Sequence, residues 1–101
     1  MFGDLMAEMN AAQQEMEKKI NAIQLSHSIQ EGAIRVSLNG KSQITSLDID
    51  PEKVDLNDAE QLEDLLIIVL NEALARLEQE KVEVTNDSMK DILPPGLDGL
   101  F

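Results

Sequence analysis

Six consecutive apolar residues, Leu65-Leu66-Ile67-Ile68-Val69-Leu70, sit inside a segment whose flanks, Asp58 to Asp64 and Asn71 to Glu80, carry the charge pattern of an amphipathic helix. A helix that is apolar on every side has to be covered on every side. One small sheet covers one face. In a chain of 101 residues the economical source of a second cover is another copy. The run therefore predicts a symmetric homodimer, with Leu62, Leu65, Leu66, Val69, Leu70 and Ala73 at its seam.

The chain has no Cys, Trp or Tyr, and its only aromatic residues are Phe2 and Phe101. That removes disulfides, thiol chemistry and zinc knuckles, and fits a cytoplasmic protein. The first ten residues carry Asp4 and Glu8 where a secretory leader is apolar. No apolar stretch approaches the roughly 20 residues a membrane span needs, so no membrane partner is expected. A net charge of −12 opposes polyanions as a total, while a local basic patch can still bind one.

Between Asp4 and about Gln24, Leu5, Met9, Ala12, Met16 and Ile23 recur at helical spacing in a thin, methionine-rich stripe. Such a stripe suits an arm resting on a neighbour. From Leu25 to Asp50 the period becomes two, giving three half-buried strands, with inner residues Leu25, His27 and Ile29, then Ile34, Val36 and Leu38, then Leu47 and Ile49. Asn39-Gly40 predicts a type I′ hairpin turn. Ile44 has the wrong parity for its strand, so it faces out or marks a bulge. Asn57-Asp58-Ala59-Glu60 reads as a capping box opening the long helix. That helix is expected to reach about Val82 or Val84, and Thr85 onward reads as loop ending in Leu93-Pro94-Pro95-Gly96. The order of elements gives an α+β fold, α-β-β-β-α, with a three-stranded antiparallel sheet and two helices.

Several of these residues together resemble a known family. They are Met1-Phe2-Gly3 with Leu5-Met6, Ala12-Gln13-Gln14, Gly32 and Val36, Asn39-Gly40-Lys41, Ile49-Asp50-Pro51, Leu62-Glu63-Asp64-Leu65, Asn71-Glu72-Ala73 and Leu93-Pro94-Pro95-Gly96. In order and spacing they resemble the YbaB/EbfC family of bacterial nucleoid-associated proteins. The resemblance implies one YbaB-like domain over residues 1–101, divided into a helix at 1–25, the sheet at 26–50, a long helix at 57–84 and a tail at 85–101. It further implies a homodimer, no cofactor, and binding of duplex DNA in the nucleoid with little sequence preference. Three departures stand out. Ile67 and Ile68 occupy helix positions where the family often has alanine, the net charge of −12 is a heavy acidic load for the family, and only Gly32 remains of a glycine-rich stretch before the second strand.

No catalytic constellation is legible. His27 has no thiol, nucleophile or recognisable base around it and reads as a partly buried strand histidine. Asp48, Asp50, Glu52 and Asp55 lack the glycine and closing glutamate of a calcium loop. Neither an enzyme, a metal site nor a small-molecule substrate is expected. For DNA the best cations are Lys18 and Lys19 at the end of the first helix, Arg35 pointing outward from a strand, and Lys41 after the hairpin. Arg76 is expected to be tied to Glu72 and Glu80 on its own helix. Without aromatic residues in the strands there is no platform for stacking single-stranded bases, which leaves duplex held by its phosphates. The competing expectation, favoured by charge, is an acidic dimeric adaptor that contacts proteins through its first helix and tail and has little DNA affinity.

Overall fold

The computed structural model describes residues 2–92, with side chains from Gly3 to Ser88. Helix α1 (Phe2–Asn21) leads into β1 (Gln24–Ile29), β2 (Ile34–Asn39) and β3 (Ile44–Ile49), and helix α2 (Ala59–Ile92) closes the order. The strands form one antiparallel sheet in the order β1-β2-β3. This is the α-β-β-β-α plan that the alternating and helical periods predict.

The alternation decides which face is buried. Leu25 on β1 and Ile34, Val36 and Leu38 on central β2 are buried beneath α2. Leu65, Val69, Ala73 and Leu77 descend from α2 onto them at every fourth position, and all are buried. Ala33 and Val54 close the ends of this core. α2 packs on β1 and β2, so β3 lies beyond its cover. Ile44 and Leu47 on the inner face of β3 stay 54% and 45% exposed.

Two flanks of α2 can be told apart. Glu72 and Arg76 reach residues of β1, whereas Lys81 reaches Ser42 in the β2–β3 connection. Leu70 and Leu74 share the stripe of Lys81 and so overlook β3. With Ile44 and Leu47 they outline an open apolar trough. Ile67 and Ile68, on the upper side of α2, are also exposed.

Three local expectations change. The Asn39-Gly40 type I′ turn does not form, because neither residue has a positive φ. Instead Asn39 and Gln43 close a three-residue loop, with Ser42 N–H donating to the Asn39 carbonyl at 3.0 Å and Ser42 left-handed at φ 61. Gly40 is small for another reason. A Cβ there would lie 1.6 Å from the Ile20 carbonyl oxygen, so the hairpin tip presses against the end of α1. Past the turn, Ser37 pairs with Ser46 but Leu38 with Ile44, leaving Thr45 unopposed. The parity break at Ile44 is this bulge, and it returns Ile44 to the inner face.

The second change is at the start of α2. Asp58 is its N-cap, Oδ1 accepting from Gln61 N–H at 3.1 Å; the capping pattern is shifted one residue from the expected Asn57 and Glu60. The third is its end. α2 does not stop near Val84 but runs to Ile92. The Thr85 hydroxyl donates to the Lys81 carbonyl at 2.8 Å, so it is satisfied inside the helix. Val84 and buried Ser88 give this half an inward side, and α1 packs along α2. The rest of the expected tail, residues 93–101, lies outside the described residues.

The connection from β1 to β2 holds Gln30, Glu31 and Gly32 at φ 48, 58 and 88. Only the last is glycine. Lys53 Nζ, at 2.7 Å from the Glu31 carbonyl oxygen, braces this turn from the far side of the sheet.

Candidate nucleic-acid interface

Lysines from three elements meet at one corner. Lys18 and Lys19 occupy the last turn of α1. Gly40 touches the backbone of Ile20 and Asn21, which sets the next residue, exposed Lys41, beside that helix end. Lys81 enters the same corner from α2, its Nζ donating to Ser42 Oγ at 2.8 Å. Lys18, Lys19 and Lys41 are thus brought together as a neighbourhood. Arg35 is not among them. It lies four residues back along β2, about 13 Å from the hairpin end, on the outer face of the sheet between Ser28 and Asp48 in register.

The corner's carboxylates are weak competitors. Lys18 pairs with Glu15 at 3.8 Å with both side chains largely exposed, and Lys81 with Glu78 at 3.7 Å. Lys81 is only 22% exposed and is also held by Ser42, whereas Lys18–Glu15 is an exposed pair of the kind that contributes a few tenths of a kcal/mol, about 0.3–0.5. A phosphate can replace such a partner at little cost. The remaining described cations are engaged in holding the fold. Lys53 braces the Glu31 carbonyl. Arg76 is tied down as expected, but to other partners: Nη1 donates to the Ser26 carbonyl at 3.3 Å and to His27 Nδ1 at 3.1 Å. Arginine only donates, so Nδ1 must be the bare nitrogen. Nε2 then carries the hydrogen and donates to Glu72 at 2.8 Å. His27 is a half-buried histidine with both nitrogens used, and its role is to tie β1 to α2.

Lys81 was indistinguishable from other helix lysines in the sequence. Its place in the corner depends on a contact spanning 39 positions, which no local pattern encodes.

The expected seam residues on α2 divide in two. Leu65, Val69 and Ala73 are buried against the protomer's own sheet, while Leu62, Leu66 and Leu70 flank that contact half-buried. Among the described residues, the large apolar side chains of α2 that the single chain leaves bare are Ile67, Ile68, Leu74 and Val82.

The outer face of the sheet holds a shallow depression of about 680 Å³. Gln24, Ser26, Ser37, Asn39, Thr45 and Ser46 line it, with Ser26 and Ser37 hydroxyls 2.9 Å apart. None of these serines has a basic partner, since His27 is on the opposite face. The strand-end carboxylates serve turns: Asp50 Oδ1 accepts from Glu52 N–H and Asp55 Oδ1 from Asn57 N–H, each at 2.9 Å. Among the described residues no group of His, Asp and Glu side chains is arranged to hold a metal, and no helix is long and apolar enough to cross a membrane.

A family model described as the YbaB/EbfC DNA-binding family matches residues 1–92. A nucleoid-associated protein of Chlorobium luteolum is 35% identical, the match covering 91% of each chain. One from Ruminiclostridium cellulolyticum is 36% identical over 93% of this chain and 76% of its own length. One from Caldicellulosiruptor saccharolyticus is 39% identical over 69% of this chain, which spans 58% of that relative. Among solved structures, an uncharacterized protein from Helicobacter pylori has the same fold, with a TM-score of 0.72 at 23% identity, covering 87% of this chain and 92% of that one.

Proposed function

The chain belongs to the YbaB/EbfC DNA-binding family, and on that premise we propose that it acts as a nucleoid-associated homodimer that holds duplex DNA by its phosphates, without catalysis and with little sequence preference. The observation that carries the reading is the corner where the end of α1, the hairpin tip and Lys81 converge. A second copy supplies a second such corner. Lys18, Lys19, Lys41 and Lys81 are then the phosphate contacts, and Arg35 on the outer sheet face is a peripheral one.

The two uncovered apolar surfaces support the dimer. The bare side of α2, with Ile67, Ile68 and Leu74, lacks a sheet, and the trough over β3, with Ile44 and Leu47, lacks a helix. A twofold axis resolves both at once, because α2 of each protomer fills the trough of the other. The two long helices lie between two sheets, and the half-buried Leu66 and Leu70 complete the seam. No stacking platform is present on the described strands, which favours duplex over single strands. The cell compartment that follows is the cytoplasm, within the nucleoid.

A fluorescence-anisotropy titration with duplex DNA at two salt concentrations tests this. Saturable binding that weakens with salt supports it. A specific observation favours a second reading, an acidic protein-binding adaptor: eight carboxylates crowd residues 48–64, and the net charge is −12. Absence of binding at low salt supports that reading instead.

A further inference from the structure

The seam between α1 and the second half of α2 carries a groove of about 360 Å³ that no described residue fills. Met6, Met9 and Met16 line it, with Asn10 and Gln13 beside them and Thr85 on the α2 side. Met6 and Met9 remain 64% and 58% exposed. The Thr85 hydroxyl is already bonded within its helix, and no charged residue among those described belongs to the lining. Methionine adapts to irregular apolar shapes, and carboxamides can donate to carbonyls of a chain that has no hydrogen-bond partners of its own. The occupant this chemistry fits is an extended, nearly uncharged peptide with apolar side chains. DNA does not qualify, since no described cation lines the groove.

We infer that the occupant is residues 93–101 of the same chain, Leu93-Pro94-Pro95-Gly96-Leu97-Asp98-Gly99-Leu100-Phe101. The segment has three apolar anchors in Leu97, Leu100 and Phe101 and a single charged side chain, Asp98. Its two prolines cannot continue α2, so the chain has to leave the helix axis next to the groove. Reach is sufficient. α2 ends seven residues past Thr85, about 10 Å along the axis, and Met6 to Met16 spans about 15 Å. Nine extended residues cover up to about 30 Å, enough to turn at Gly96 and run back along the methionines. A second copy of α1 is the poorer occupant, because it would bring Asp4, Glu8, Glu15 and Glu17 against the same four carboxylates.

The methionine methyl resonances of the full chain, labelled at Cε with carbon-13, read this contact. Phe101 and Phe2 carry the only phenyl rings in the chain, and the one other aromatic ring, His27, is held between Glu72 and Arg76. The expected result is upfield-shifted Met6, Met9 and Met16 methyls that return to ordinary positions in Phe101→Leu but not in Phe2→Leu. Leu97→Asp with Leu100→Asp should release the same three methyls while the far-ultraviolet spectrum keeps its helix content. Spectra identical between the full chain and Phe101→Leu would overturn the proposal. So would recovery of the shifts when labelled Phe101→Leu chains are refolded together with unlabelled full chains, since that would put the segment on the partner's groove.

Discussion

Gly40→Ala isolates the contact that assembles the lysine corner. Gly40 does not need a positive φ, so alanine can adopt its backbone without strain. The whole effect comes from the added methyl, which would lie 1.6 Å from the Ile20 carbonyl oxygen, 2.6 Å from its carbonyl carbon and 3.2 Å from the Asn21 Cα. All three are backbone atoms, so no side chain can rotate away. Restoring an ordinary separation of 3.4 Å from the oxygen moves the end of α1 by about 1.8 Å, a step that forfeits most of the dispersion between the two surfaces. Ile20 and buried Ile23 sit on either side of that step. Overpacking of this kind costs typically 1–3 kcal/mol, and backbone collision puts it near the top, about 3 kcal/mol. With a urea slope of about 1.5 kcal/mol per molar, the midpoint should fall by about 2 M. The assay is far-ultraviolet circular dichroism at one fixed protein concentration, since a dimer's midpoint depends on concentration. Duplex affinity should fall too, although no charge is removed, because Lys18 and Lys19 move away from Lys41. A stability change within about 0.5 kcal/mol, the range of neutral surface substitutions, would refute the close approach and the corner built on it.

Four further outcomes are expected. Glu31→Gly should stabilise the chain by about 1 kcal/mol, because it relieves a left-handed residue while Lys53 keeps its backbone carbonyl partner; a lower urea midpoint would contradict this. Leu74→Asp, at a position 40% exposed in the protomer, should leave the protomer folded and yield single-copy particles in sedimentation, whereas an unchanged dimer would remove the α2–β3 trough from the seam. Lys18→Glu with Lys19→Glu should make the salt dependence of duplex binding shallower by at least about one unit. Arg76→Ala, which only unties β1 from α2, should cost about 1 kcal/mol of stability with binding intact; the reverse pattern would exchange their roles.

The fold was legible because each element carries its own period. Alternation located the strands, with Leu25, Val36 and Leu38 on the inner face, and the apolar run located α2. What escaped depends on contacts between distant positions. Gly40 looks like a turn glycine in isolation, and only the packed end of α1 reveals its other purpose. Thr85 and Asn86 look like a helix stop until α1 packs along α2 and Val84 meets the core. The left-handed Gln30 and Glu31 sit where the family's glycines would be, a strain readable in sequence only through that missing glycine-rich stretch. At the site, Lys18, Lys19 and Lys41 could be picked by their positions at element ends. Arg35 could not be separated from them, nor Lys81 joined to them, because which end of the sheet meets α1 and which flank of α2 overlooks the hairpin are fixed by tertiary packing.

The most direct test is the salt dependence of duplex binding by the intact protein, measured by anisotropy from low to physiological ionic strength. If a dimer neutralises four to six phosphates through its two lysine corners, log affinity should fall against log salt with a slope of about −4 to −5. An affinity indifferent to salt, or no binding at the lowest salt, would contradict the phosphate-gripping dimer.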